Sequence, residues 1–193
     1  MKSRPSLIAA IVLGVLALFL FWRARTPPTV GEDFAHLTPE QKQERREEVK
    51  PLETQINDIA ASARRTEHKP FTIPITESQL NTLLQDRLNT EKFAIRNLRA
   101  GLVPNRLELQ GDVDYKGVKV VATLGGSINV AGGQMVFRAD SLKFGGRPAP
   151  NQIKDKVETE INKNLNKLLL NAPGQINRVI IEAGKMSIEG ITN

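Results

Sequence analysis

The residue types that usually carry chemistry are sparse in this chain. There is no cysteine, and histidine occurs only twice, at His36 and His68. Neither histidine has a carboxylate or serine at motif spacing, so neither triad nor metal chemistry is expected of them. Asp112-Val113-Asp114 has the form of the D-x-D of metal-dependent glycosyltransferases. Both aspartates fall on the polar face of an alternating segment, and no nucleotide-binding βαβ unit surrounds them. Together with Glu108 they form an acidic stripe that lacks the loop geometry of a Ca²⁺ site. The Gly-Gly pairs at 125–126, 132–133 and 145–146 are not followed by Gly-Lys-Ser/Thr, so none is a phosphate loop. The chain therefore reads as a non-enzyme without cofactor or metal.

What recurs instead is apolar side chains at strand and helix spacing. From Leu107 to Tyr115 the apolar or small residues Leu107, Leu109, Gly111, Val113 and Tyr115 alternate with Glu108, Gln110, Asp112 and Asp114. This strict period of two predicts a sheet with one wet and one dry face. The pattern resumes at Val118 and runs through Val120, Ala122, Leu124, Gly126, Ile128 and Val130. Gly125-Gly126 keeps parity and predicts a bend in one long strand. The return strand carries Met135, Phe137 and Ala139, then Leu142 and Phe144, and its parity shift at Asp140-Ser141 predicts a bulge. In Phe93 to Val103 the alternation slips once, near Asn97, and Pro104-Asn105 marks a turn. After Gly145-Gly146 and Pro148-x-Pro150, Ile153, Val157, Ile161, Leu165, Leu168 and Leu169 fall on one side of a helix over about Asn151 to Asn171. Its other side, including Asn162, Asn164, Asn166 and Asn171, reads as solvent-facing. A closing hairpin turns at Ala183-Gly184.

Upstream, Lys69 to Ile75 reads as a strand that Pro74 places at a sheet edge. The segment ITESQLNTLLQDRLN then starts a helix, with Thr76 and Gln79 as a capping box and Leu80, Leu83, Leu84 and Leu88 on one face. An earlier helix begins at Thr38-Pro39, with Gln41 completing its box, and Pro51 is expected to kink or split it. Its first part is charged nearly all round. Its second part presents Leu52, Ile56, Ile59, Ala60 and Ala63 to one side, which suits a solvated stalk that docks its second half.

The net charge of +6 invites a nucleic-acid partner, but its distribution speaks against one. Lys2, Arg4, Arg23 and Arg25 lie in an acid-free start, and the rest of the chain is nearly balanced. Aromatic residues make up only 5%, too few for a base-stacking platform. The basic residues flank sixteen apolar positions, Leu7 to Trp22, about 24 Å of helix. Snorkelling of Arg23 and Arg25 extends that span, and Trp22 sits where an interfacial aromatic belongs. The segment ends in bulky and charged residues with no small-x-small cleavage site, so an uncleaved anchor is expected rather than a signal peptide. The basic residues favour a cytoplasmic N-terminus and an extracytoplasmic main domain at the cell membrane. The expected organisation is an anchor over 1–25, a linker and helical stalk over 26–68, and an α+β domain over 69–193. In that domain a long, strongly curved antiparallel sheet wraps the amphipathic C-terminal helix.

The order of these elements resembles the bacterial YpmS-like and LmeA-like membrane-anchored proteins. The resemblance is carried by TESQLNTLL, by L-V-P-N-R-L-E-L-x-G-D-V, by SLKFGGRPAP before the long helix, and by IEAGKMSIEG; it covers roughly Phe71 to Ile191. Those families are similar in fold to tubular lipid-binding proteins, in which a curved sheet and a long helix leave a seam for an acyl chain. The resemblance thus implies membrane lipid, phospholipid above all, as partner. No individual ligand contact carries over from it. The candidates come from the dry faces: Leu109, Val113, Val120, Ala122, Leu124, Ile128, Met135, Phe137 and Phe144 of the sheet, and Ile153, Val157, Ile161 and Leu165 of the helix. Gly111, Ala122 and Gly126 are expected to leave room near that helix. The alternative is an envelope structural or interaction protein with a closed core. A continuous apolar space above ~300 Å³ between helix and sheet distinguishes the two.

Overall fold

The computed structural model describes residues 30–31, 36–65, 67–88, 95–115, 117–169 and 174–192. The expected anchor helix over Leu7 to Trp22 lies outside them. Among the described residues no helix is long and apolar enough to cross a membrane.

Helix α1 (Pro39–Arg64) starts on a reciprocal cap. Thr38 Oγ1 accepts from the Gln41 N–H at 3.3 Å, and Gln41 Oε1 accepts from the Thr38 N–H at 2.9 Å. The helix continues through Pro51 rather than splitting there, and buries Val49, Leu52, Ile59 and Ala63. From Val49 onward it is therefore part of the packed body. Strand β1 (Pro70–Thr76) leads directly into helix α2 (Glu77–Leu88), where Thr76 and Gln79 form the second predicted box. Strands β2 (Ile95–Val103), β3 (Arg106–Tyr115), β4 (Val118–Ala131), β5 (Gln134–Phe144) and the short β6 (Arg147–Pro148) follow as an antiparallel meander. Helix α3 (Asn151–Leu169) and the hairpin β7 (Gly174–Glu182) and β8 (Lys185–Thr192) complete the chain.

The architecture is α+β with antiparallel sheets, as expected, but the strands do not join into one sheet. They form a five-stranded sheet in the order β2-β3-β4-β5-β6 and a separate three-stranded sheet in the order β1-β8-β7. The reason lies at the open edge of β2. There Glu77 Oε2 accepts from the Leu102 N–H at 2.7 Å, and Gln85 Nε2 donates to the Leu98 carbonyl at 2.7 Å. Between them Asn81 accepts from the Ala100 N–H at 2.6 Å and donates to the Ala100 carbonyl at 2.8 Å. Side chains four residues apart on a helix rise about 6 Å, close to the ~6.8 Å of two strand residues, so α2 stands in for a strand. With that edge occupied, β1 pairs with β8 instead.

The opposite edge is capped the same way. Strand β6 covers only Lys143 and Phe144. Beyond it α3 lies along β5, with Asn162 accepting from the Phe137 N–H at 2.7 Å and donating to its carbonyl at 2.9 Å. Glu158 accepts from the Ala139 N–H at 2.7 Å. The helix thus borders the sheet rather than being wrapped by it, and Asn162 is not solvent-facing. Polar side chains on both helices satisfy backbone groups that an exposed edge would offer to another chain.

Both irregularities anticipated in the meander are present. Two residues, Asn97 and Leu98, face the single residue Gly111, and Asn97 takes a left-handed backbone at φ 50°. A side chain on Gly111 would meet Ile95 Cγ2 at 2.6 Å. Asp140 is the extra residue of β5, since Gly125 pairs with Ser141 and Gly126 with Ala139. The bulge thus lies opposite Gly125-Gly126, within the single long strand β4.

The small sheet lies across the turn end of the large one. The Ile176 N–H donates to the Gly133 carbonyl at 2.9 Å, the Asn105 N–H to the Ile181 carbonyl at 2.9 Å, and the Gly184 N–H to the Leu102 carbonyl at 2.8 Å. Strand β7 therefore links the β4–β5 turn to the β2–β3 turn. Ile73, Ile75 and Ile188, all fully buried, fill its inner side.

Candidate functional site

A cavity of about 420 Å³ lies over the inner face of the large sheet. Its floor is Leu107, Leu109, Gly111 and Val113 of β3, Ala122, Leu124 and Ile128 of β4, and Leu142 and Phe144 of β5. These residues share one face because the strand registers pair Leu109 with Leu124, Gly111 with Ala122, Ala122 with Phe144, and Leu124 with Leu142. One wall is α2 with Leu80 and Leu84, joined by Ile95 and Leu98 of β2. The facing wall is α3 with Val157, Ile161 and Leu165, and Met186 of β8 closes the turn end. The two helices that cap the sheet edges are thus the sides of the trough.

The lining is hydrocarbon apart from Asp114 and Glu160, both exposed. From Leu107 to Val113 the floor extends about 20 Å at strand rise. One leaflet of a bilayer is ~15 Å of hydrocarbon, so an acyl chain fits lengthwise. Removal of apolar surface from water is the attraction such a site offers.

Nine of the thirteen candidate residues meet here: Leu109, Val113, Ala122, Leu124, Ile128, Phe144, Val157, Ile161 and Leu165. Val120, Met135, Phe137 and Ile153 lie on the expected faces but outside the cavity lining. Met135 and Phe137 are 1% and 0% exposed, beyond the bulge where α3 closes directly on β5. Gly126 does not leave room for a ligand, because the Phe137 ring fills the space: a side chain there would stand 2.5 Å from Phe137 Cζ and 2.3 Å from the Arg138 carbonyl oxygen. Val120 sits on β4 beyond Ala122, toward the β3–β4 hairpin tip. Ile153 packs against the core in the first turn of α3. The residues not anticipated are chiefly Leu80, Leu84, Ile95, Leu98, Leu107, Leu142 and Met186. Leu80 and Leu84 already stood out as a helix face, but nothing in their spacing says which sheet face they meet.

The candidates for reactive chemistry are not part of this site, apart from Asp114 at its rim. His68 Nδ1 lies 3.3 Å from the Thr192 carbonyl oxygen, on the small sheet. Asp112 accepts from Asn97 Nδ2 at 2.7 Å, and Asp114 accepts from the Gly117 N–H at 2.8 Å. Glu108 and Asp140 both engage Arg106, which bridges β3 and β5 on the outer face. Among the described residues no group of three or more His, Asp or Glu side chains is placed to hold a metal ion.

A two-walled trough of hydrocarbon on an antiparallel sheet has the shape and lining that an apolar chain fits. The comparison with known families agrees: the model of LmeA-like phospholipid-binding proteins matches residues 41–191, and the chain belongs to that family. The match includes most of α1, in keeping with its packing on the body. No curated protein matches the chain.

Proposed function

We propose that this protein is a single-pass, membrane-anchored, extracytoplasmic protein that holds one acyl chain of a phospholipid in the trough between α2 and α3 and exchanges it with the bilayer. The headgroup stays at the open end. The observation that carries this reading is the unfilled apolar volume of about 420 Å³, with a floor as long as a leaflet's acyl chain. A closed-core interaction protein would have filled that space. No bond is made or broken in such work, so the reading is of a binding protein rather than an enzyme.

Energetics favour exchange over one-way extraction. Transfer of a chain of about sixteen carbons from water is favourable by ~12 kcal/mol, at ~0.8 kcal/mol per methylene. A lipid leaving a bilayer starts in hydrocarbon and gains none of this. The trough need only match the bilayer, and an anchor keeps lipid at high local concentration. The basic flanks of residues 7–22 support the topology.

The test is photo-crosslinking of the full chain in vesicles that contain a phospholipid with a diazirine near the end of one acyl chain. Adducts on peptides from β3, β4 and α3, lost in Leu124→Trp, are expected. Adducts confined to residues 1–29 would refute the cavity reading.

A further inference from the structure

We propose that the tip of the β3–β4 hairpin docks on an anionic phospholipid surface and is the ramp by which the acyl chain enters the trough. This rests on the lipid-binding reading and specifies the surface from which the ligand comes. The inner apolar face does not stop at the cavity. Strand β2 begins at Ile95, opposite Val113, and β5 ends at Phe144, opposite Ala122. Among the described residues, 114, 115 and 117–119 therefore lie beyond the last paired positions of both neighbours. On this projection Val113 pairs with Val120, and Tyr115 with Val118. Val118 is 60% exposed and Ile95, on the cavity wall, 40%. Val113, Val120 and Val118 thus carry the inner apolar face from the cavity floor toward solvent. The opposite end of the trough is blocked by β7 and β8.

Charge selects the occupant of that exposed end. The segment from β5 into α3 that borders the mouth carries Lys143, Arg147, Lys154 and Lys156, with Asp155 as its one acid. Among the described residues none of these four cations forms an ion pair. Lys119 stands beside Val118. At the turn end Arg106 is paired with Glu108 and Asp140, and Lys185 with Glu182. The rim also carries Asp114, which faces Lys119 across the hairpin, and Glu160; the five cations outnumber these and Asp155, and an exposed apolar tip with that net positive border fits an interface of anionic headgroups over hydrocarbon.

The tether allows this approach. The Val30 N–H donates to Gln110 Oε1 at 3.2 Å, which fixes the incoming chain to the outer face of β3. From Gln110 to the hairpin tip is about 17 Å of strand. Five residues from Arg25 to Val30 span at most about 18 Å. A domain held by an anchor ending at Arg25 thus reaches the same bilayer with its tip.

The absence of cysteine permits a clean probe. Val118→Cys in the full chain would carry an environment-sensitive fluorophore, with Gln134→Cys at the turn end as the comparison. Both would be reconstituted in vesicles of phosphatidylcholine with phosphatidylglycerol, alongside the acyl-chain crosslinker. Blue-shifted emission at position 118, quenched by a shallow nitroxide lipid while position 134 stays aqueous, is the expected result. A label at 118 that stays aqueous while the cavity is crosslinked overturns the docking and leaves the cavity reading intact. Equal docking in pure phosphatidylcholine overturns the assignment to an anionic surface. A chain that crosslinks no lipid in the trough refutes the cavity reading and this inference with it.

Discussion

Replacement of Asn81 by leucine removes the centre of the contact that seats α2 on β2. Asn81 is 2% exposed, and its side chain satisfies both the N–H and the carbonyl of Ala100, itself fully buried. Leucine has a similar shape and neither polar group. Two buried backbone groups are left without partners, at about 1–3 kcal/mol each, so Asn81→Leu should cost roughly 2–6 kcal/mol. A surface substitution stays within about 0.5 kcal/mol. The equivalent change on the other wall, Asn162→Leu, should cost less, about 1–2 kcal/mol, because those hydrogen bonds are only part-buried and water can replace them. Thermal unfolding of the full chain, followed by circular dichroism, reads both. At about 2–4 °C per kcal/mol, Asn81→Leu should lower the midpoint by roughly 10 °C. If Asn81→Leu melts within a degree or two of the parent chain, the helices do not serve as strand surrogates. If Asn162→Leu is the worse of the two, burial is not what sets the cost.

Other perturbations test the remaining parts. Leu124→Trp, at the centre of the floor, should fill the trough and abolish acyl-chain crosslinking while the chain still folds; a filled interior would instead lose about 1–3 kcal/mol to overpacking, read as a lower melting midpoint. Gly126→Ala should destabilise by a similar ~1–3 kcal/mol, because the added methyl meets the Phe137 ring and the Arg138 carbonyl, and urea titration measures it. Thr76→Ala removes the acceptor for the Gln79 N–H at 3.2 Å and should cost about 1 kcal/mol by the same titration. Thr38→Ala should cost less than Thr76→Ala, since the first turns of α1 are mostly exposed.

By itself the sequence determined the local structure and most of the floor. Strict alternation in β3 and β4 named the dry face, since side chains in a strand point alternately to its two sides. Parity slips at Asn97 and Asp140 located both bulges, and the two Thr-x-x-Gln boxes located two helix starts. The stripe on α3 supplied Val157, Ile161 and Leu165. Only the tertiary structure decided which surfaces meet. Periodicity marks a face as apolar without saying what covers it, so the entry of Leu80, Leu84 and Met186 into one trough was not legible. Nor was the packing of Met135 and Phe137 away from it. The division into two sheets turned on Glu77, Asn81, Gln85, Glu158 and Asn162. In sequence these are ordinary polar residues on helix faces, indistinguishable from residues facing water. Their partners are backbone groups of distant strands, and a backbone edge leaves no mark in side-chain pattern. Satisfying those edges fixes where each helix stands, and the space left between the two helices is the candidate site.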